Sequence, residues 1–478
     1  MTTMTPRTGD RRRQQGAALL LLMLVVVVAA SAVLVNRLNN DAAKLLRRTS
    51  TQAVLADAKA ALLEYAATYP DRFPGEPYQL PCPDLDGAGG TLDGESHTAN
   101  CGARGVTMLG RVPWRTLGLP VPLDGTGECL WYAVSGEHKS AGATTRELIN
   151  SDTYGLLQLF ARDDGSLVEG LSAETRPVAI LLAPQAPLSG QSRPAAAGQQ
   201  CSSNFASGDY LDLDSVTGIS NATVAATADT LSEFVVTPTQ NDELNDQVLT
   251  IGGREFAASI FRRHDFAARM DGLANLVTQC VANYAAQNPG GPDDKRLPFP
   301  APVALADYRP DSNYDDVDAG VLSGRLPDIV DDSNVLTGNP VARVISDCNS
   351  LAVPGWTPEL HRQWQHWKDH FFITVSASFG PSAATPSACT ECLTVNGSGQ
   401  YAAIVFFAGI PLTTAGQRRT VPPLDADARA SIANYLESSN ASNHPYSTGI
   451  VDYAMQAASP TFNDALYCVD ESLAVVAC

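Results

Sequence analysis

The sequence predicts an α+β chain: one long N-terminal helix, then two tandem, diverged α+β units whose strands pair antiparallel. Three observations predict it. An uncharged apolar run covers Ala17 to Val35 directly after a basic stretch. Nothing between Asn36 and Tyr69 breaks a helix, since neither Pro nor Gly occurs there. A set of segments then recurs in the same order, offset by about 217–241 residues.

The first 16 residues read as a basic leader, with Arg7, Arg11, Arg12 and Arg13 ahead of Gly16. Residues 17–35 follow as a transmembrane helix. Nineteen residues at ~1.5 Å each give about 28 Å, the thickness of bilayer hydrocarbon. A cleaved secretory signal has a shorter apolar core of roughly 7–15 residues. The arginines put the N-terminus in the cytoplasm and the rest of the chain outside, a single-pass protein of a bacterial inner membrane with a periplasmic body.

The first α+β unit spans 36–252 and the second 253–478. "AKAALLEYAATYPDRFPG" (58–75) answers "LANLVTQCVANYAAQNPGG" (273–291), and "LPCPDLDG" answers "LPFPAPVA". "LGRVPWRTLG" (109–118) answers "SGRLPDIV" (323–330), and "ECLWYAVS" (128–135) answers "DHFFITVS" (369–376). "DYLD" with "PTQND" (238–242) answers "NYLE" with "PTFND" (460–464). Each unit opens with an amphipathic helix. Leu55, Ala58, Leu62, Leu63 and Ala66 recur at helical spacing in one; Phe266, Met270, Leu273, Leu276 and Val277 do so in the other. The strand "VAILLA" is apolar on both faces and is expected to be buried. Strands follow helices without βαβ alternation, hence α+β.

Charge narrows the function. Residues 1–50 carry a net +6, which leaves residues 51–478 at −25 within a total of −19. Such a body repels nucleic acid. Ten cysteines point to an oxidising compartment and structural disulfides. Cys82–Cys101 and Cys468–Cys478 close short loops, Cys389 and Cys392 read as a loop staple rather than a redox pair, and Cys280 is expected to be free.

No cofactor is expected, and calcium is the best candidate for a small site. Asp84, Asp86 and Glu95 follow an oxygen-ligand spacing, and Asp311, Asn313 and Asp315 form a second acidic loop; a solvated acidic loop is the competing reading of each. His361, His366 and His370 lie on a helix that starts at Thr357–Pro358, where His366 and His370 share a face. No third ligand joins them, and packing histidines are the expectation. In "RVPWRTLG" the arginines around Trp114 suit an anion or sugar face, or a turn with a buried anchor. No G-x-S-x-G, H-E-x-x-H or G-x4-GK motif is present, so no catalytic residue is assigned and the chain is not expected to be an enzyme.

A basic leader ending in Gly16, a retained apolar helix, its amphipathic continuation and a disulfide-bearing α+β body resemble type IV pilins and pseudopilins. The resemblance implies cleavage between Gly16 and Ala17 by a prepilin peptidase, methylation of the new N-terminus, and packing of the helix against other pilin or pseudopilin subunits. It implies pilin-like heads and a place in a type IV pilus or type II secretion-like filament, with display at the cell surface. Position five of the mature chain is Leu21, where the family has glutamate, which implies a minor rather than a bulk subunit. The alternative is a plain signal anchor carrying a periplasmic binding or hydrolytic domain that joins no filament.

Overall fold

A computed structural model describes residues 10–478 apart from 86–92, 98–100, 141–147, 194–200, 202–203, 239–240, 242, 288–294, 331–342, 350–352, 384–388 and 420–425. Helix α1 runs unbroken from Asp10 to Ala67, and a short α2 (Tyr69–Arg72) follows it.

The N-terminal half holds β1 (Met108–Arg111), β2 (Trp131–Val134), β3 (Leu157–Ala161), β4 (Leu167–Glu169), β5 (Pro177–Ala183), β6 (Ser232–Val236) and β7 (Gln247–Gly252). They form an antiparallel sheet in the order β1-β2-β5-β7 and a small sheet β4-β3-β6 in which β3 and β6 run parallel. All seven residues of β5 are buried. Ala179, Leu181 and Ala183 meet Leu55, Ala58, Leu62 and Ala66 of α1, while Ile180 and Leu182 meet Tyr210 and Phe234 on the other side. A strand covered on both faces has to be apolar throughout, as "VAILLA" is.

Next come α3 (Gly253–Phe261), α4 (Phe266–Ala286), β8 (Ser323–Arg325), α5 (Pro358–Trp367), β9 (Phe371–Val375), β10 (Leu393–Val395), β11 (Ser398–Phe407), β12 (Asp452–Tyr453), β13 (Ala465–Asp470) and β14 (Val475–Val476). Phe256 and Ile260 of α3 pack into the α1 core. Met270, Leu273 and Val277 of α4 pack on Phe371, Ile373, Val405 and Phe407, while Phe372, Ile404 and Phe406 face a separate core with Tyr435 and Tyr453. The seven strands β8–β14 make one sheet with β11 at its centre, bonded to β9, β10 and β13.

Two expectations are corrected. Among the described residues no helix is long and apolar enough to cross a membrane. From Arg37 to Arg48, α1 carries Asp41, Lys44 and Arg47. Nor are the two halves a pair of tandem pilin-like heads. Among the described residues, the first divides β1–β7 over two sheets, and the second gathers β8–β14 in one. The fold is mixed α and β with antiparallel sheets.

What does recur is a polar network. Gln191 donates to Asp212 at 2.9 Å, and Gln417 donates to Glu437 at 2.7 Å. Asp212 accepts the amides of Asn245 and Asp246, as Glu437 accepts those of Asn463 and Asp464. Asp246 accepts from Asn221 as Asp464 does from Asn440. Arg193 reaches Gln191 and the Tyr210 carbonyl, as Arg419 reaches Gln417 and the Tyr435 carbonyl. Burial and then the neighbouring carboxylate hold the carboxyls of Asp246 and Asp464 well above their ordinary range.

Candidate functional site

The two networks differ in what their arginine meets. Arg193 approaches Glu128 of its own half at 3.6 Å, whereas Arg419 approaches Asp152 of the other half at 3.7 Å. Around Asp152 lies the densest buried charge cluster described. Its N-terminal side is a turn in which Asn150 Oδ1 accepts the Asp152 amide at 2.9 Å and Thr153 Oγ1 donates to the Leu148 carbonyl at 2.9 Å. Asn150 Nδ2 crosses to the C-terminal half, donating to the His366 carbonyl and to Asp369 Oδ1, each at 2.8 Å.

The facing side is the junction of α5 and β9. Thr357 caps α5 by accepting the Leu360 amide, and Pro358 opens the first turn. The helix stops at Trp367, and a 3-10 turn over Lys368, Asp369 and His370 leads into β9 with all three side chains buried. His370 therefore does not share a helix face with His366. His366 instead gives its carbonyl to Asn150, and His361 Nε2 lies 3.3 Å from Ser346 Oγ.

His370 Nδ1 stands 3.0 Å from Asp369 Oδ1, and Nε2 stands 3.1 Å from Ser151 Oγ and 3.3 Å from Asp152 Oδ2. Arg429 lies 3.6 Å from Asp369. Burial opposes charge on the imidazole, but Asp152 and Asp369 outweigh it and raise the pKa of His370 above its ordinary range. Burial likewise opposes the carboxylates, and His370 with the arginines outweighs it, holding both below theirs.

Ser151, His370 and Asp369 thus stand at the distances of a nucleophile, base and orienting acid. Carboxylates flank both ring nitrogens of this histidine, which favours its charged form over the neutral form a general base needs. Ser151 Oγ donates to Asp152 Oδ1 at 3.0 Å, so its proton is turned toward that carboxylate and away from His370. Among the described residues Asp152, Asp369 and His370 are also the one group close enough to share a metal ion. Their carboxylates flank opposite ring nitrogens, and Arg419 and Arg429 already supply the cations. The arrangement ties the two halves together through buried charge.

The other candidate residues are placed elsewhere. Gly16 and Ala17 lie within α1. Asp84 is buried, accepts the Gly94 amide at 2.8 Å, and is pushed up by burial to about 6; Glu95 follows Gly94, and Asp86 lies outside the described residues. Asp311 accepts from Lys368 and from Gln365, Asn313 donates to the Asp307 carbonyl at 2.6 Å, and the backbone of Asp315 bridges to Ile329. Among the described residues, none of these belongs to a group of three or more close enough to share an ion. Arg111 is buried over Trp131, Phe205 and Tyr210, as Arg325 is over Tyr308, Phe372 and Tyr435. Both serve as buried anchors.

All ten cysteines are paired: Cys82–Cys101, Cys129–Cys201, Cys280–Cys348, Cys389–Cys392 and Cys468–Cys478. Cys280 is therefore not free, because α4 lays it against Cys348. Sequence reasoning passed over Ser151, Asp152 and Asp369. The signal for Asp369 is the charged triplet "KDH" set against the fully apolar start of β9. Compared with known protein families, curated proteins and solved structures, the chain has no match.

Proposed function

We propose that this protein is a minor pilin- or pseudopilin-like subunit that assembles into, or is displayed on, a type IV pilus or type II secretion-like filament, and that it is not an enzyme. The observation that carries the reading is the bare apolar stretch of α1. Leu21, Leu22, Met23, Leu24, Val25, Val26, Val27 and Val28 each expose 58–64% of their surface on a helix whose other end is locked into the core by Leu55, Ala58 and Leu62. Apolar surface of that extent all around a helix needs a covering, and helices of neighbouring subunits provide one of matching shape. Five disulfides suit a body on the periplasmic side of the inner membrane. In this reading a prepilin peptidase cuts after Gly16, and Leu21 packs without the charge partner a glutamate would demand.

A photo-crosslinking residue at Val25 tests it in the native host. Adducts to other pilin-like subunits, lost when a second change, Val28→Asp, is added, are expected. Adducts to lipid alone, unchanged by Val28→Asp, would leave a periplasmic binding protein outside any filament as the better account.

A further inference from the structure

Beside the buried cluster a cavity of about 460 Å³ opens between the two halves. α3 forms one wall, the 149–154 turn a second, and the 410–419 segment a third. Tyr78, Phe256, Ile260, Phe261, Trp367 and Ile410 make it mostly apolar. A cavity of that size accommodates an acyl chain or comparable small amphiphile.

The charges around it are one-sided. Arg254, Arg262, Arg418 and Arg419 line the cavity against Glu174 alone, in a chain whose total is −19. Arg254, Arg262 and Arg418 are exposed, while Arg419 is buried and spent on Gln417 and on backbone carbonyls. Three guanidinium groups therefore stand in water at the rim of an apolar cleft. None of the three forms an ion pair within 4.0 Å among the described residues.

We propose that this cleft binds an anionic amphiphile: one acyl or alkyl chain in the apolar interior, its carboxylate or phosphate head at the arginine rim. Guanidinium pairs bidentately with either head group, and the chain is removed from water by α3 and Trp367. Ser151 and Thr153 line the same cleft, so an occupant would also press on the turn that carries Asp152.

The test uses the full chain in a non-ionic maltoside and a twelve-carbon fatty acid bearing a diazirine near its tail. Irradiation is expected to label peptides covering 253–262 and 409–419, with excess dodecanoate reducing the label at least fivefold and dodecanol leaving it within twofold. The charge reversal Arg254→Glu with Arg418→Glu, both at exposed positions, is expected to cut labelling about tenfold. Ala257→Trp, which fills the cleft, should abolish it. Retained disulfides and an unchanged melting temperature show that each variant is folded. Competition by dodecanoate identifies a free acyl carboxylate; competition by dodecyl phosphate alone identifies a phosphate head; either supports the proposal. Equal competition by dodecanol, labelling confined to 20–29 of α1, or indifference to the charge reversal would overturn it.

Discussion

Asp152 of the N-terminal half stands 3.3 Å from His370 of the C-terminal half, and neither side chain exposes any surface. The pair joins residues 218 positions apart in the chain, and Asp369, Arg419 and Arg429 close the cluster around it. The two halves are therefore coupled by charge as well as by apolar packing. Removing one member leaves the others buried and unbalanced. Asp152→Ala is expected to cost about 3–5 kcal/mol in urea unfolding and to separate the transitions of the two halves. A loss under 1 kcal/mol with one unchanged transition would show that the cluster does not couple them.

The same cluster sets a pH dependence. Asp152 and Asp369 are held below the ordinary 3.8, so their contribution is complete above that pH and lost as pH falls beneath it. His370 is held above the ordinary 6.5, so its contribution is complete below that pH and lost as pH rises through its folded value. The stability gap between the native protein and His370→Gln should be widest between about pH 4 and 6.5 and shrink on the alkaline side. Denaturation at pH 5, 7 and 9 measures it; a gap that widens with pH contradicts a raised pKa at His370.

Asp311 holds Lys368, whose ammonium is buried over the Tyr314 ring. Asp311→Asn is expected to cost about 1–3 kcal/mol, because Lys368 loses its counter-charge. The loss should be equal in EDTA and in millimolar calcium. A loss that appears only when calcium is present would make Asp311 a calcium ligand instead.

Cys280–Cys348 joins residues 68 apart and ties α4 to the segment that leads into α5. Replacing both cysteines, Cys280→Ala with Cys348→Ser, should cost roughly 4 kcal/mol by the loop-entropy account. Urea midpoints of the variant and the native protein give the figure. An unchanged midpoint would mean that packing of α4 alone fixes that segment.

Local periodicity made the helix faces legible. Leu55, Ala58 and Leu62, like Met270, Leu273 and Val277, sit in the cores because their spacing leaves them no other side to face. The doubly apolar β5 was legible for the same reason. The partner of Cys280 was not, since disulfide connectivity carries no local signal. The charge cluster was hidden because Ser151 and Asp152 meet His370 only through the packing of the two halves. The recurring network was half legible: alignment sets Asn241–Asp242 opposite Asn463–Asp464, whereas the chain uses Asn245 and Asp246. A shift of four residues in a loop leaves no trace in composition. The apolar run pointed to a bilayer span, whereas among the described residues no helix is long and apolar enough to cross a membrane.

The central claim is that α1 is an assembly helix released from a leader, and the mass of the N-terminal peptide from native-host membranes tests it most directly. The account predicts a chain that begins at Ala17, with or without a methyl group on its amine. A chain that begins at Met1, or beyond Val35, contradicts it.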